Sequence, residues 1–204
     1  MRVRVDPERP APRKLGAAIE ALRRDHVILY PTDTGYAFGC ALSSRKGITA
    51  IRALKGLDTR SRKPLSMLVN QLSDFGVYAI METSVFRTVR RILPGPYTVV
   101  LEASSEVPRD MRNRDGEIGL RIPDSPLCRM LVEMLGEPIV TGSVTAGESE
   151  PELEDPEDLE RIYRGRVEVL IDGGAMFPDP STILHARAHE LEVDRVGKGP
   201  VPKA

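Results

Sequence analysis

Apolar and polar positions along this chain switch repeatedly between helical and strand periods, and that alternation sets the fold class. Leu15, Ile19 and Leu22 repeat at helical spacing behind Pro12, and the apolar run at 27–30 follows, so a helix feeds a buried strand. Ser44 is placed to cap a second helix carrying Ile48, Ile51 and Leu54, with a strand after it at 65–69. Ser84 is placed to cap a third, with Val85, Val89 and Ile92 on one face, which Pro94-Gly95-Pro96 stops. Strands are predicted at 98–101 and 118–122. Ser125-Pro126 then starts a helix whose stripe is Leu127, Met130, Leu131 and Met134, and Gly136 closes it. Asp155-Pro156 opens a short helix, and 138–141, 167–171, 181–184 and 191–196 read as further strands. The pattern predicts one α/β, or mixed α+β, domain over residues 1–204, built on an open twisted sheet with helices outside it.

Composition narrows the chemistry. A formal net charge of −1 argues against a generally basic nucleic-acid binder, so any such contact would come from a local patch. Cys40 and Cys128 lie far apart with no paired-ligand spacing, the start of the chain carries no apolar signal core, and no run is long enough to span a bilayer. These features place the chain in a reducing, cytoplasmic setting with no membrane partner. Cys40, beside Gly39, reads as a small buried residue and not a nucleophile. His185 and His189 read as surface histidines and the acidic stretch 148–160 as a solvated loop and helix start, so no metal site is expected. Neither a G-x-x-x-x-G-K-[ST] phosphate loop nor a G-x-G-x-x-G turn occurs.

Six segments carry residue types that suit a site. Tyr30-Pro31-Thr32-Asp33-Thr34-Gly35-Tyr36-Ala37-Phe38-Gly39 reads as a loop of hydroxyls and glycines at a strand's carboxyl end, where open α/β sheets bind ligands. Lys55, Arg60, Arg62 and Lys63 precede Pro64-Leu65; they form either a phosphate-binding cluster or an exposed basic turn. Pro94-Gly95-Pro96-Tyr97-Thr98 is a rigid turn presenting Thr98, or only a helix stop. Arg121 sits inside the apolar stretch Gly119-Leu120-Arg121-Ile122-Pro123 and needs a partner, whether a structural carboxylate or an anionic ligand. Thr141-Gly142-Ser143-Val144-Thr145-Ala146-Gly147 reads as a second small-residue loop, and Ser181-Thr182 and Arg195-Val196-Gly197 close the set.

In this order the segments resemble the YrdC/YciO superfamily, which includes L-threonylcarbamoyladenylate synthases of tRNA modification. Pro31-Thr32-Asp33-Thr34-x-Tyr36-x-x-Gly39 is similar to the family's P-T-[ED]-T-x-Y-G-L-G, and Lys55 to the lysine of its K-x-R element. Pro64-Leu65, Pro94-Gly95-Pro96-x-Thr98, Arg121-x-Pro123, Ser181-Thr182 and Arg195-x-Gly197 follow its P-L, P-G-P-x-T, R-x-P, S-T and R-x-G elements. The resemblance implies a strongly twisted mixed sheet with a concave basic cleft, and a reaction of threonine, bicarbonate and ATP, with Mg²⁺ on the phosphates. Lys55, Ser143 and Arg195 are the expected catalytic groups. Thr32, Asp33, Thr34, Tyr36, Arg60, Arg62, Lys63, Pro64, Thr98, Arg121, Thr145, Ser181 and Thr182 are the expected binding residues. Two positions depart from the synthase pattern: Leu57 replaces the arginine of K-x-R, and Ser143-Val144-Thr145 replaces S-x-N, as in the YciO branch. Two functions follow: an adenylate-forming enzyme, or a module that keeps the cleft for tRNA or double-stranded RNA with little or no synthase activity.

Overall fold

The structure, a computed structural model, describes residues 1–57, 65–144, 155–187 and 190–202. Among these, eleven strands join in one mixed sheet. In chain order they are β1 (Arg2–Arg4), β2 (Ile28–Thr32), β3 (Gly35–Ala41), β4 (Ser66–Leu68), β5 (Ala79–Ile80), β6 (Tyr97–Ala103), β7 (Glu117–Arg121), β8 (Ile139–Ser143), β9 (Val169–Asp172), β10 (Thr182–Arg187) and β11 (Glu190–Arg195). Across the sheet the order is β1-β9-β2-β3-β8-β4-β7-β6-β10-β11, with β5 paired to β6. Parallel and antiparallel pairs are both present, so the sheet is mixed.

The helices are α1 (Pro12–Arg23), α2 (Arg45–Leu54), α3 (Ser73–Tyr78), α4 (Thr83–Ile92), α5 (Pro126–Leu135) and α6 (Pro156–Tyr163). Local chemistry explains most of their ends. Ser44, Ser125 and Asp155 accept from the backbone N–H of Gly47, Cys128 and Glu157. Proline occupies the first turn of α1, α5 and α6, and Gly136 ends α5 at φ 85°. The expected cap at Ser84 is corrected: α4 starts at Thr83 behind Glu82, with no side-chain cap, because its packing against the core through Val85 and Val89 outweighs a capping preference. Strand β1, helix α3, strand β5 and a 3₁₀ turn at Arg109–Met111 were not expected from the pattern, being two to six residues long.

Successive strand residues face opposite sides, and the two sides are covered differently. One side packs Phe38, Cys40, Met67, Val99, Leu120 and Val140 against Ile48 and Ile51 of α2 and Val85 and Val89 of α4. The other packs Ile28, Tyr30, Leu68 and Ile139 against Leu15 and Ile19 of α1 and Leu127 and Leu131 of α5. On that second side, Ser66 lies two residues from Leu68 and Thr141 two from Ile139. Ser66, Thr98, Val100 and Thr141 thereby continue the face past the helices and line an open cleft. Among the described residues no helix is long and apolar enough to cross a membrane, and Cys40 and Cys128 are free and buried.

Two expected loops are corrected. Residues 30–39 are strand β2, a tight turn at Asp33 and Thr34, and strand β3, all paired to residue level. Thr141 to Ser143 likewise belong to β8, paired with β3. Small residues are required there by close approach: a Cβ at Gly39 would lie 2.6 Å from the Tyr30 ring. Both strands are central, so their glycines mark packing where a loop was expected.

Candidate functional site

The β2–β3 turn is built by its own hydroxyls. Thr32 Oγ1 donates to the Gly35 carbonyl at 2.7 Å and accepts from the Thr34 N–H at 3.2 Å. Gly35 takes φ +111°, and a Cβ there would press on Pro178 at 3.3 Å. The turn presents Asp33 to Arg121 at the end of β7. Arg121 Nη2 donates to Asp33 Oδ1 at 2.8 Å and to Thr34 Oγ1 at 3.0 Å. The two charged side chains are 4% and 7% exposed, so the pair is buried. Arg121 Nε, also buried, has no hydrogen-bond partner among the described residues. The structural carboxylate that Arg121 needs is therefore Asp33, which it meets through Nη2.

Arg121 lines a cleft of about 640 Å³. Lys55, at the end of α2, lays its stem across Gly142, where a Cβ would fall 2.5 Å from its Cδ. Its Nζ donates to the Ser143 carbonyl at 2.8 Å. Arg195, at the end of β11, donates from Nη2 and Nε to the Ser181 carbonyl at 2.7 and 3.2 Å. Ser181 Oγ in turn lies 2.8 Å from Thr98 Oγ1. Burial lowers the Arg195 pKa, and the charge of Arg121 lowers it further, so the two guanidinium groups feel each other. Beneath them the Tyr30 hydroxyl donates to Thr141 Oγ1 at 3.0 Å, and burial holds that phenol protonated far above its usual range.

Of the expected site residues, Lys55, Thr98, Arg121, Ser143, Ser181 and Arg195 line this one cleft. Thr32, Asp33 and Thr34 are not in its lining; they hold the turn that holds Arg121. Tyr36 faces elsewhere: its hydroxyl donates to the Gly174 carbonyl at 2.8 Å and accepts from Gly173 N–H at 2.9 Å, and burial pushes its pKa up to about 12. Thr182 is fully buried and ties Gly197 and Gly199 to β10. Arg60, Arg62, Lys63, Pro64 and Thr145, most of the acidic stretch and His189 lie outside the described residues. Leu57 lines the cleft.

The charge of the described lining is mixed. Lys55, Arg121, Arg187 and Arg195 share it with Asp115, Glu117 and Asp194. His185, expected at the surface, is 6% exposed, because β10 turns it onto the cleft wall between Glu117 and Asp194. The signal in sequence was the alternation Ile183, His185, Arg187, which puts all three on one strand face.

A twisted mixed sheet with a polar cleft on its half-covered face defines the class: a mixed α/β fold with an open cleft. The Sua5/YciO/YrdC family model, described as telomere recombination, matches residues 20–197, and the chain belongs to that family. It is 31% identical to the uncharacterised YciO protein of Escherichia coli over 198 residues, 97% of this chain and 95% of that one. The crystal structure of E. coli YciO superposes with a TM-score of 0.91, covering 98% of this chain and 96% of that one at 30% identity. The human threonylcarbamoyl-AMP synthase is 31% identical over 161 residues, 78% of this chain and 56% of the enzyme. The fold also matches P. abyssi Sua5 complexed with L-threonine, at TM-score 0.84 and 24% identity, over 97% of this chain and 57% of that one.

Proposed function

We propose that the cleft binds threonine and ATP and, with bicarbonate, forms threonylcarbamoyl-AMP and pyrophosphate, the activating step of a tRNA modification. The observation that carries this reading is the Arg121 guanidinium, held by Asp33 on the lining of the cleft. Its described bonds use Nη2 alone, and a guanidinium keeps further donors for a second carboxylate, which a ligand supplies. Threonine as that ligand is supported by the relatives: a threonylcarbamoyl-AMP synthase over most of this chain and a Sua5 structure holding L-threonine.

In the reaction, the threonine amine adds to the carbon of bicarbonate and water leaves, giving the carbamate; a carbamate oxygen then attacks the α-phosphorus of ATP, the bond from that phosphorus to the bridging oxygen breaks, and pyrophosphate leaves. Negative charge grows on the phosphoryl oxygens and on the leaving group. Lys55 and Arg195 are the described cations placed to stabilise it, both held by carbonyl oxygens so that little reorganisation is needed. Among the described residues no trio of carboxylate, imidazole or thiol groups could cage a metal, so Mg²⁺ belongs to this account only as part of MgATP.

The test is direct. Purified protein given ATP, bicarbonate and threonine should yield pyrophosphate and threonylcarbamoyl-AMP, read by mass spectrometry, above a Lys55→Ala control. Leu57→Arg, which restores the second cation of the synthase pattern, should raise the rate. Equal product from wild type and Lys55→Ala would sink the enzyme reading. An RNA-binding role draws less support, because carboxylates on the cleft wall repel a phosphate backbone. Tight, salt-sensitive tRNA binding without adenylate formation would put it first.

A further inference from the structure

We propose that Glu117, His185 and Asp194 form the end of the cleft that receives the ribose hydroxyls of the nucleotide, an assignment that rests on the nucleotide reading above. Glu117, Gly119 and Arg121 alternate along β7 on one face. Four residues of strand separate Arg121 from Glu117 by about 13 Å. Between them Gly119 keeps the floor low, since a Cβ there would meet Ser66 Oγ at 2.7 Å. The floor therefore runs from the guanidinium pair Arg121 and Arg195 at one end to carboxylates at the other.

The carboxylate end is fixed but not saturated. His185 Nε2 lies 2.6 Å from Glu117 Oε1, and His185 Nδ1 lies 3.0 Å from Asp194 Oδ2. Asn113 Nδ2 donates to Glu117 Oε2 at 2.8 Å. Each carboxylate oxygen has two lone pairs, so acceptor capacity remains on both groups. The side chains of Glu117 and Asp194 are 19% and 43% exposed, while the histidine that orients them is buried. Arg187 joins this end, its Nη2 3.3 Å from His185 Nδ1, so the end is mixed in charge and its carboxylates are the groups that accept from O–H. In this assignment the phosphates lie toward Arg121 and Arg195 and the ribose toward Glu117. Carboxylates that accept from ribose hydroxyls recur in nucleotide sites. Val100 and Ile183, beside His185 on the same wall, give the sugar and base an apolar surface.

The experiment titrates wild type, Glu117→Gln and Asp194→Asn with ATP, 2′,3′-dideoxy-ATP and inorganic tripolyphosphate by calorimetry. Wild type should prefer ATP over the dideoxy compound by about tenfold, the scale of a hydrogen bond to a charged acceptor. Both variants should bring that ratio close to one, with tripolyphosphate binding unchanged or tighter. Equal binding of ATP and dideoxy-ATP by wild type would overturn the ribose assignment and leave the nucleotide reading standing. Loss of tripolyphosphate binding in parallel with ATP in the variants would overturn it too. Failure of wild type to bind either ATP or tripolyphosphate would overturn both. Asp194 is on the edge strand β11, so its variant decides the matter if Glu117→Gln disturbs folding.

Discussion

Asp33→Ala isolates the energetic role of the β2–β3 turn. In the native protein Arg121 is 4% exposed, its charge is matched by Asp33 at 2.8 Å, and Thr34 Oγ1 is its one other described side-chain partner. Deleting the carboxylate strands a guanidinium in the interior, which costs about 3–5 kcal/mol where a buried pair is broken from one side. It also removes the acceptor, Asp33 Oδ2, of the Asp124 N–H at 3.3 Å. For a domain of this length each kcal/mol lowers Tm by about 2–4 °C, so a fall of roughly 6–20 °C is expected. Urea unfolding followed by circular dichroism should show the midpoint falling at constant m. The double variant Asp33→Ala/Arg121→Met removes both charges and should be more stable than Asp33→Ala alone. A loss below 1 kcal/mol in the single variant, or a double variant whose loss equals the sum of the singles, would refute the buried-pair argument.

Two further outcomes follow from the packing. Gly142→Ala puts a methyl 2.5 Å from Lys55 Cδ, and the flexible lysine, not the backbone, should give way; melting should shift by no more than about 2 °C while ATP affinity falls about tenfold, read by thermal denaturation and calorimetry. Stability should also decline above pH 9. Burial pushes the Cys128 thiol from its ordinary 9.0 up to about 12 and the Tyr36 phenol from 10.0 up to about 12, with Cys40 and Tyr30 raised as well. The folded state holds these protons more tightly than the unfolded chain, so their stabilisation is complete below pH 9 and drains away as pH rises toward 12. Melting temperatures that stay level from pH 8.5 to about 11 would contradict it.

The sequence was most readable where local chemistry acts alone. Ser44, Ser125, Asp155 and Gly136 announce helix ends because a cap is decided within four residues. The ordered motifs, carried by Thr32 through Arg195, pointed to the family that the comparisons show. Strand β3 was hidden because Gly35, Ala37 and Gly39 make it look like a loop, although Gly39 is there because the Tyr30 ring lies over it and Gly35 because of its φ of +111° beside Pro178. His185 was misjudged because one of its two carboxylate partners comes from a strand distant in sequence: Glu117 is 68 positions away. The same distance conceals that the described cleft lining carries carboxylates as well as cations. Arg121 shows the limit most clearly, since sequence demanded a partner for it but only the fold could supply Asp33.

Threonine titration of wild type and Arg121→Lys in the presence of a non-hydrolysable ATP analogue tests the central claim most directly. Lysine keeps the charge beside Asp33 but lacks Nε and the planar fork. Wild type should bind threonine and Arg121→Lys should bind it at least about tenfold more weakly, with melting lowered by only a few degrees. Equal threonine affinity in the two proteins, or none in wild type at millimolar threonine, would contradict the claim that Arg121 receives the ligand carboxylate.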